Sequence, residues 1–375
     1  MRTLFPRSKT LAALANKKII ISMSCLLIFS SGCTRSESPK NKVESKPVGA
    51  VVNLAIWSNY IPQELLNDFY SKTGIKVQVS NYSSNEELLA KLQAGASGYD
   101  VAVPSDYMVY AMTKLGLLTQ LDRSKLTNMK ALDLRFMKKK FDEENKYSVP
   151  YDWGTTGIAV NRSLYPGSIK GWKDLFGKED LAGKFSLLDD GREVLGAALK
   201  ALGYSLNSRN PDQLKKAKEL VLKARSRVKA YTSEPLTPLV NGELAVTHIF
   251  MSDALQARQQ LQKSNSGKID YLVPEEGGTL WIDNLVIPTG ALHVQEAYTF
   301  VNFLLQGSSN YSTVMSVFVA PANKDAFALL PPTLRNDPML FPSESTLKHC
   351  EMIEDLGDFL PVWDRTWTEI KAEHD

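Results

Sequence analysis

The chain has 375 residues, of which 44 are basic, 41 acidic and 43% hydrophobic, with four histidines and three cysteines. The formal charge of +3 makes no case for nucleic-acid binding, because residues 1–32 hold five basic residues and no acid; the remainder has 39 against 41, a net −2. The ~340 residues beyond that segment can build a hydrophobic core, as two domains rather than one.

The first 32 residues read as a signal peptide. Arg2, Arg7, Lys9, Lys17 and Lys18 form a basic region, Ile19 to Phe29 is an apolar run, and Ser30, Ser31, Gly32 and Cys33 follow. Such a run is a secretory signal and too short to span a membrane. Gly32-Cys33 resembles the cleavage box of bacterial lipoproteins, in which the cysteine becomes the lipidated first residue, although Ser30 stands where leucine is usual. The expected location is the periplasm or the outer face of the cell membrane, anchored through Cys33, with plain secretion as the alternative. Cys25 lies in the signal, which leaves Cys350 unpartnered and predicts no disulfide framework. Residues 33–50 are rich in Ser, Pro and Lys and read as a flexible tether.

Val51 to Trp57 is a predicted strand. A helix opens at Pro62, buries Leu65, Leu66, Phe69 and Tyr70 on one stripe, and ends at Gly74. IKVQVS (75–80) is a second strand. Ser83 or Ser84 with Glu86 or Glu87 makes a capping box for the helix ELLAKLQAG. YDVAVP (99–104) is a third strand, followed by a helix near Tyr107 to Leu115. Alternating strands and helices predict an α/β fold with a mostly parallel sheet covered on both faces.

YSVPYDWGTTGIAVN (147–161) is a long β-type run interrupted by Gly154, suited to carry the chain between domains. FSLLDD (185–190), ELAVTHIF (243–250) and GGTLWIDNLVIP (277–288) are further strands. Helices follow the first two, with PDQLKKAKELVLKARSRV as a longer amphipathic one. VQEAYTFVNFLLQG and a tail ending near Trp367 are helical.

No phosphate-binding loop, dinucleotide fingerprint, nucleophile elbow or HExxH motif is present. The four histidines lack metal spacing, so no metal and no cofactor is expected. Aromatic residues and acids instead recur at strand ends, where open α/β sheets bind ligands: Trp57 and Tyr60, Tyr107, Asp190 and Glu193, Phe250 and Asp253, Trp281 and Asp283. Each has an ordinary structural explanation. The tryptophans could be core, Asp190 with Glu193 has capping-box spacing, and Asp253 could cap its helix. Asp283 is the hardest to explain so. It shares a strand face with Trp281, and only Lys268, Arg258 or Lys263, through tertiary folding, could neutralise it. Aromatic faces with carboxylates suit an organic cation, through cation–π contacts and charge-assisted hydrogen bonds.

AIWSNYIP, DVAVPSDYMV, YSVPYDWGTTGIAVN, LLDDGREVLGAALKALGYS and PEEGGTLWIDNLVIP, in this order, resemble the periplasmic spermidine/putrescine-binding proteins of bacterial polyamine ABC importers, over about residues 52 to 370. The resemblance implies a two-lobed periplasmic-binding-protein-like fold, each lobe a mostly parallel sheet flanked by helices, with the ligand cleft between lobes and no catalysis. It places ligand contacts on Trp57, Tyr60, Tyr107, Asp190, Glu193, Trp281 and Asp283. Phe250 stands where the family commonly has tryptophan, Val319 where it has a pocket tyrosine, and Ile353 where it has an amide. Asp253 resembles an acid of putrescine-type members. On this reading residues 51–154 with 282–327 form one lobe and 155–281 with 328–375 the other. The expected partners are a polyamine and a membrane permease, and the protein is expected to be a monomer. Two alternatives remain: the same fold binding a cationic amino acid or peptide, and a hydrolase using Asp190 and Glu193 as an acid–base pair.

Overall fold

The computed structural model describes residues 49–95 and 98–372. The expected signal peptide, Cys33 and the tether up to residue 48 lie outside the described residues. The first third of the fold runs β1 (Val51–Trp57), α1 (Gln63–Thr73), β2 (Lys76–Tyr82), α2 (Asn85–Gln93), β3 (Val101–Ala102) and α3 (Asp106–Lys114). Next come β4 (Ser148–Asn161), α4 (Trp172–Gly177), β5 (Phe185–Leu188), α5 (Gly191–Ala201), α6 (Pro211–Arg225) and β6 (Val228–Thr232). The chain continues through α7 (Leu236–Val240), β7 (Val246–Phe250), α8 (Met251–Ser264), β8 (Ile269–Leu272), β9 (Leu280–Val286), α9 (Val294–Leu304), α10 (Gly307–Val317) and β10 (Ala320–Pro321).

Helix α1 begins after Pro62 and stops at Gly74, whose φ of +75° places it in the left-handed region and whose N–H donates to the Tyr70 carbonyl over 2.8 Å. Its buried residues are Leu65, Leu66 and Phe69, and Phe69 packs against Phe300 and Phe303 at ring-centroid distances of 4.9 and 5.1 Å. Tyr70, expected on that stripe, is 56% exposed. One residue further along a 3.6-residue turn rotates a side chain by about 100°, which carries Tyr70 off the buried face. Ser84 caps α2 by accepting the Glu87 N–H, while the Glu87 carboxylate reaches back to the N–H of Ser83 rather than of the cap residue.

Strand β3 is shorter than its sequence predicts. Asp100 is spent on the N–H groups of Asn53, Leu292 and His293, and Pro104 has no N–H to give to a ladder.

The strand order is β2-β1-β3-β9-β4-β7-β5-β6, with β10 and β8 also paired to β4. Each half has a parallel trio: β1 between β2 and β3, and β5 between β6 and β7. The strands that join the halves are antiparallel to their neighbours. β4 pairs with β9 and β10 through its first half and with β7 and β8 through its second. All 14 of its residues are buried. The result is a two-lobed α/β fold in which β4 and β9 join the two parallel trios into one continuous sheet. Gly154 does not interrupt it. Gly154 sits opposite Trp281 of β9, and a Cβ there would lie 2.4 Å from the indole ring. The glycine makes room for the tryptophan.

A second core gathers Trp172, Phe176, Phe185, Leu195, Val221 and Trp363 between α4, α5, α6 and the last helix, Leu360–Ala372. Burial of each such side chain contributes roughly 1.5–3 kcal/mol.

Candidate functional site

The carboxyl ends of β1, β3, β5 and β7 and the middle of β9 open on one cleft of about 860 Å³, part of which is open solvent. All nine residues singled out from the sequence line it. Trp57, Tyr60 and Tyr107 come from the β1–β3 half of the sheet, Asp190, Glu193, Phe250 and Asp253 from the β5–β7 half, and Trp281 and Asp283 from the strand beside β4. Ile353 also lines it, whereas Val319 does not: it is fully buried in the core, behind the wall.

Asp283 is 4% exposed. Its partners are neutral. Tyr60 donates its hydroxyl to Oδ2 over 2.7 Å, and Ser105 donates to Oδ1 over 2.7 Å. The three cations considered for it are engaged elsewhere: Arg258 with Asp337, Lys268 with Asp270, and Lys263 with Gln259. Burial pushes the Asp283 carboxyl up to about 6, against the two hydroxyl bonds that favour its charge.

Glu193 repeats the arrangement. It is 5% exposed, with Thr156 donating to Oε1 at 2.9 Å and Thr279 to Oε2 at 2.8 Å. Asp190 does cap α5, taking the N–H groups of Arg192 and Glu193 on Oδ1. Its Oδ2 has no donor among the described residues. Burial, with Glu86 and Glu193 alongside, raises its carboxyl well above the carboxylate range. Asp253 lies in the first turn of α8, but it is not the cap: Phe250 is, with no side-chain hydrogen bond. No described residue donates to Asp253, and burial beside Glu234 pushes it up to about 7. Asp106 begins α3 and accepts the N–H groups of Tyr107 and Ile282, yet burial holds its carboxyl well above the usual range. Three helices thus point N-termini at the cleft, and each carries an acid in its first turn or at its cap, where the helix dipole eases an uncompensated negative charge.

Two of the rings are held as firmly. Trp57 donates its indole N–H to the Val103 carbonyl and packs on Tyr82 at 4.7 Å. Tyr107 donates to Glu86 and accepts from Asn85. Trp281 is 7% exposed and lies over Gly154. Among the described residues six acids line the cleft (Glu234 is the sixth) and no lysine, arginine or histidine does. Such a lining attracts an organic cation with apolar stretches between its charges.

Ser105, Tyr82, Thr279 and Thr156 were not singled out from the sequence. Ser105 carried a weak signal, since it stands two residues before Tyr107 at a strand end. The threonines carried none, because only the tertiary register of β4 and β9 brings them to Glu193.

Residues 64–342 match the model of the bacterial extracellular solute-binding protein family. The spermidine/putrescine-binding periplasmic protein of Escherichia coli (strain K12) is 38% identical over 319 residues, 84% of this chain and 90% of that one. The spermidine/putrescine ABC transporter substrate-binding protein PotD from Streptococcus pneumoniae is 33% identical, with a TM-score of 0.73 over 87% of this chain and 100% of that one. The TpPotD lipoprotein of Treponema pallidum is 29% identical, with a TM-score of 0.75 over 85% of this chain and 99% of that one. With a family model covering most of its length and a relative 38% identical over 84% of it, the chain belongs to the bacterial extracellular solute-binding proteins.

Proposed function

We propose that this protein captures a polyamine, spermidine or putrescine, outside the cytoplasmic membrane and delivers it to the permease of an ABC importer, without catalysis. The observation that carries this reading is the lining: among the described residues, six acids with aromatic rings between them, and no basic residue. An amino acid would need a cation for its α-carboxylate. Arg192 does not line the cleft; its Nη2 donates to Asn207 and the Glu354 carbonyl, and its guanidinium packs between Trp363 and Tyr107.

In this reading Trp57 and Trp281 flank the methylene chain, Asp283, Asp190 and Glu193 take ammonium groups, and Tyr60 and Tyr107 orient the acids. Phe250 and Asp253 bound the far end. Residues 51–154 with 282–327 and 155–281 with 328–375 act as the two lobes. Empty, the acids repel one another; a polycation neutralises them and lets the lobes close. The protein works as a monomer, tethered through a lipid on Cys33 at the outer face of the membrane. Calorimetric titration with spermidine, putrescine, lysine and arginine tests the reading. Heat with the polyamines alone supports it. No heat at millimolar polyamine removes it, and heat with lysine or arginine alone moves the assignment to amino acids.

A further inference from the structure

Residues 121–146 form a lap of chain closed at its ends, where the Leu121 N–H donates to the Lys146 carbonyl over 2.7 Å. From Arg123 to Phe141 the lap holds seven basic residues and one acid, in a sequence whose net charge beyond residue 32 is −2. That acid, Asp133, is bridged by Arg135 at 2.8 Å. Lys130, Lys138 and Lys140 are exposed and Lys139 is half-buried. None of these four side chains has a hydrogen-bond or ion-pair partner among the described residues.

The lap is pinned from inside. Phe136 stacks on Trp153 with ring centroids 5.4 Å apart. Asn145 accepts the Lys138 N–H, and the buried Asp142 carboxylate accepts those of Lys146, Tyr147 and Ser148. Leu134, two residues before Phe136, is nonetheless 83% exposed. Leu132 and Asn323 form an isolated β-bridge, and the Asp133 N–H donates to the Ala322 carbonyl over 2.8 Å, which sets helix α11 (Lys324–Leu329) alongside. Helix α11 leaves Lys324, Phe327 and Leu329 in solvent, Phe327 at 40% and Leu329 at 54% exposure. The acids at the border are Asp325, Glu143 and Glu144, the last held by Lys146 at 3.1 Å. None of these residues lines the cleft.

We propose that this face, with Lys130, Lys138, Lys139, Lys140 and Lys324 around Leu134, Phe327 and Leu329, seats the protein on an anionic phospholipid surface. The charges are complementary, and a lysine is a point charge on a flexible stem that meets a headgroup layer without matched geometry. Each lysine near such a surface strengthens binding roughly fivefold. The exposed apolar tips enter the boundary between headgroups and acyl chains. An acidic protein partner would instead be met by arginine forks and ring-filled pockets, and Arg135 is already tied to Asp133. The length of the chain also fits. On the reading that Cys33 carries a lipid, residues 34–48 link it to the first described residue, a reach of at most about 55 Å. Within that reach the face meets the bilayer at high local concentration, so a weak seat is enough.

The test is made without the lipid. The chain from Thr34 onward keeps every described residue, and it is co-sedimented with vesicles of phosphatidylglycerol in phosphatidylcholine and of phosphatidylcholine alone. Wild type should bind the anionic vesicles at least 100-fold more tightly at low salt. It should lose that excess near 0.5 M salt, where screening acts within about 4 Å. Lys138→Gln, Lys139→Gln and Lys140→Gln together should weaken anionic binding roughly 100-fold, and Leu134→Ser about tenfold. Lys215→Gln, Lys216→Gln and Lys223→Gln remove the same charge from exposed positions of α6 and should change it by less than about twofold. Melting temperatures equal to that of wild type show that the variants fold. No preference for anionic vesicles overturns the proposal and leaves the face to an acidic protein. A preference that survives the substitutions in the lap, or falls equally with those on α6, overturns it as well.

Discussion

Tyr60 donates its hydroxyl to Asp283 across 223 residues of sequence, and the bond joins the loop after the first strand to β9, the strand beside β4. With Ser105 on its other oxygen, Asp283 is held in place but not neutralised. Asp283→Asn keeps the shape, and the amide still exchanges hydrogen bonds with both hydroxyls. It should weaken polyamine binding at least tenfold, since truncating one member of a buried charge pair costs ~2–5 kcal/mol. The empty variant should be no less stable than wild type, because it relieves a buried charge. A steep fall in melting temperature with affinity unchanged would show a structural role and refute the assignment.

The pH dependence of the empty protein follows from the same burial. A carboxyl whose folded value is raised binds more protons folded than unfolded, so its stabilising share is complete below the unfolded value near 4 and is lost as pH rises through the folded one. For Asp283 that loss ends near 6 and for Asp253 near 7. The melting temperature of the empty protein should therefore fall from pH 4.5 to 7.5, with Asp253→Asn and Asp283→Asn each flattening part of the slope. Affinity should run the other way and rise over that range, because a cation needs the ionised form. Calorimetric scans with and without spermidine across this range check both, and a melting temperature that climbs with pH throughout would contradict the buried-acid account.

Much of this was legible in the sequence because strand geometry is local. Positions i and i+2 share a face, so Trp281 and Asp283 had to point together, and an acid on a buried strand demanded an explanation. The strand ends gave the other lining residues for the same reason. The identity of Asp283's partners was not legible, since two hydroxyls from distant segments do the work that a nearby base could have done. Gly154 was misread as a break because glycine usually weakens a strand. His248 was set aside with the other histidines for want of metal spacing, and its 3.8 Å approach to Glu193 depends on tertiary folding that no local pattern encodes.

The anchor is tested apart from the site. If Cys33 carries lipid, the protein should fractionate with membranes, and Cys33→Ala should release it or leave an uncleaved precursor. Mass spectrometry of the N-terminus distinguishes these outcomes. A wholly soluble wild type with an unmodified N-terminus would exclude the anchor and leave plain secretion.

Gly154 and Trp281 give the sharpest test of the cleft wall. A methyl group at position 154 would meet the indole carbons at 2.4 and 2.5 Å, and the Met251 methyl at 3.0 Å. Gly154 is paired to Trp281 of β9, and the strand on either side of it is held by β10 at Trp153 and by β7 at Thr156, so the ring rather than the backbone must give way. Gly154→Ala should therefore destabilise the empty protein by about 1–3 kcal/mol, the usual cost of overpacking. It should also displace the aromatic face from the ligand, a loss of ~0.5–2 kcal/mol or roughly 2- to 30-fold in affinity. In a Trp281→Ala background there is no ring to displace, and the same substitution should then cost little in either measurement. The double-mutant cycle of Gly154→Ala and Trp281→Ala, read by melting temperature and by spermidine affinity, isolates that coupling. If Gly154→Ala weakens binding equally with and without the indole, the glycine acts on strand β4 itself, and Trp281 is not seated for the ligand by the space it leaves.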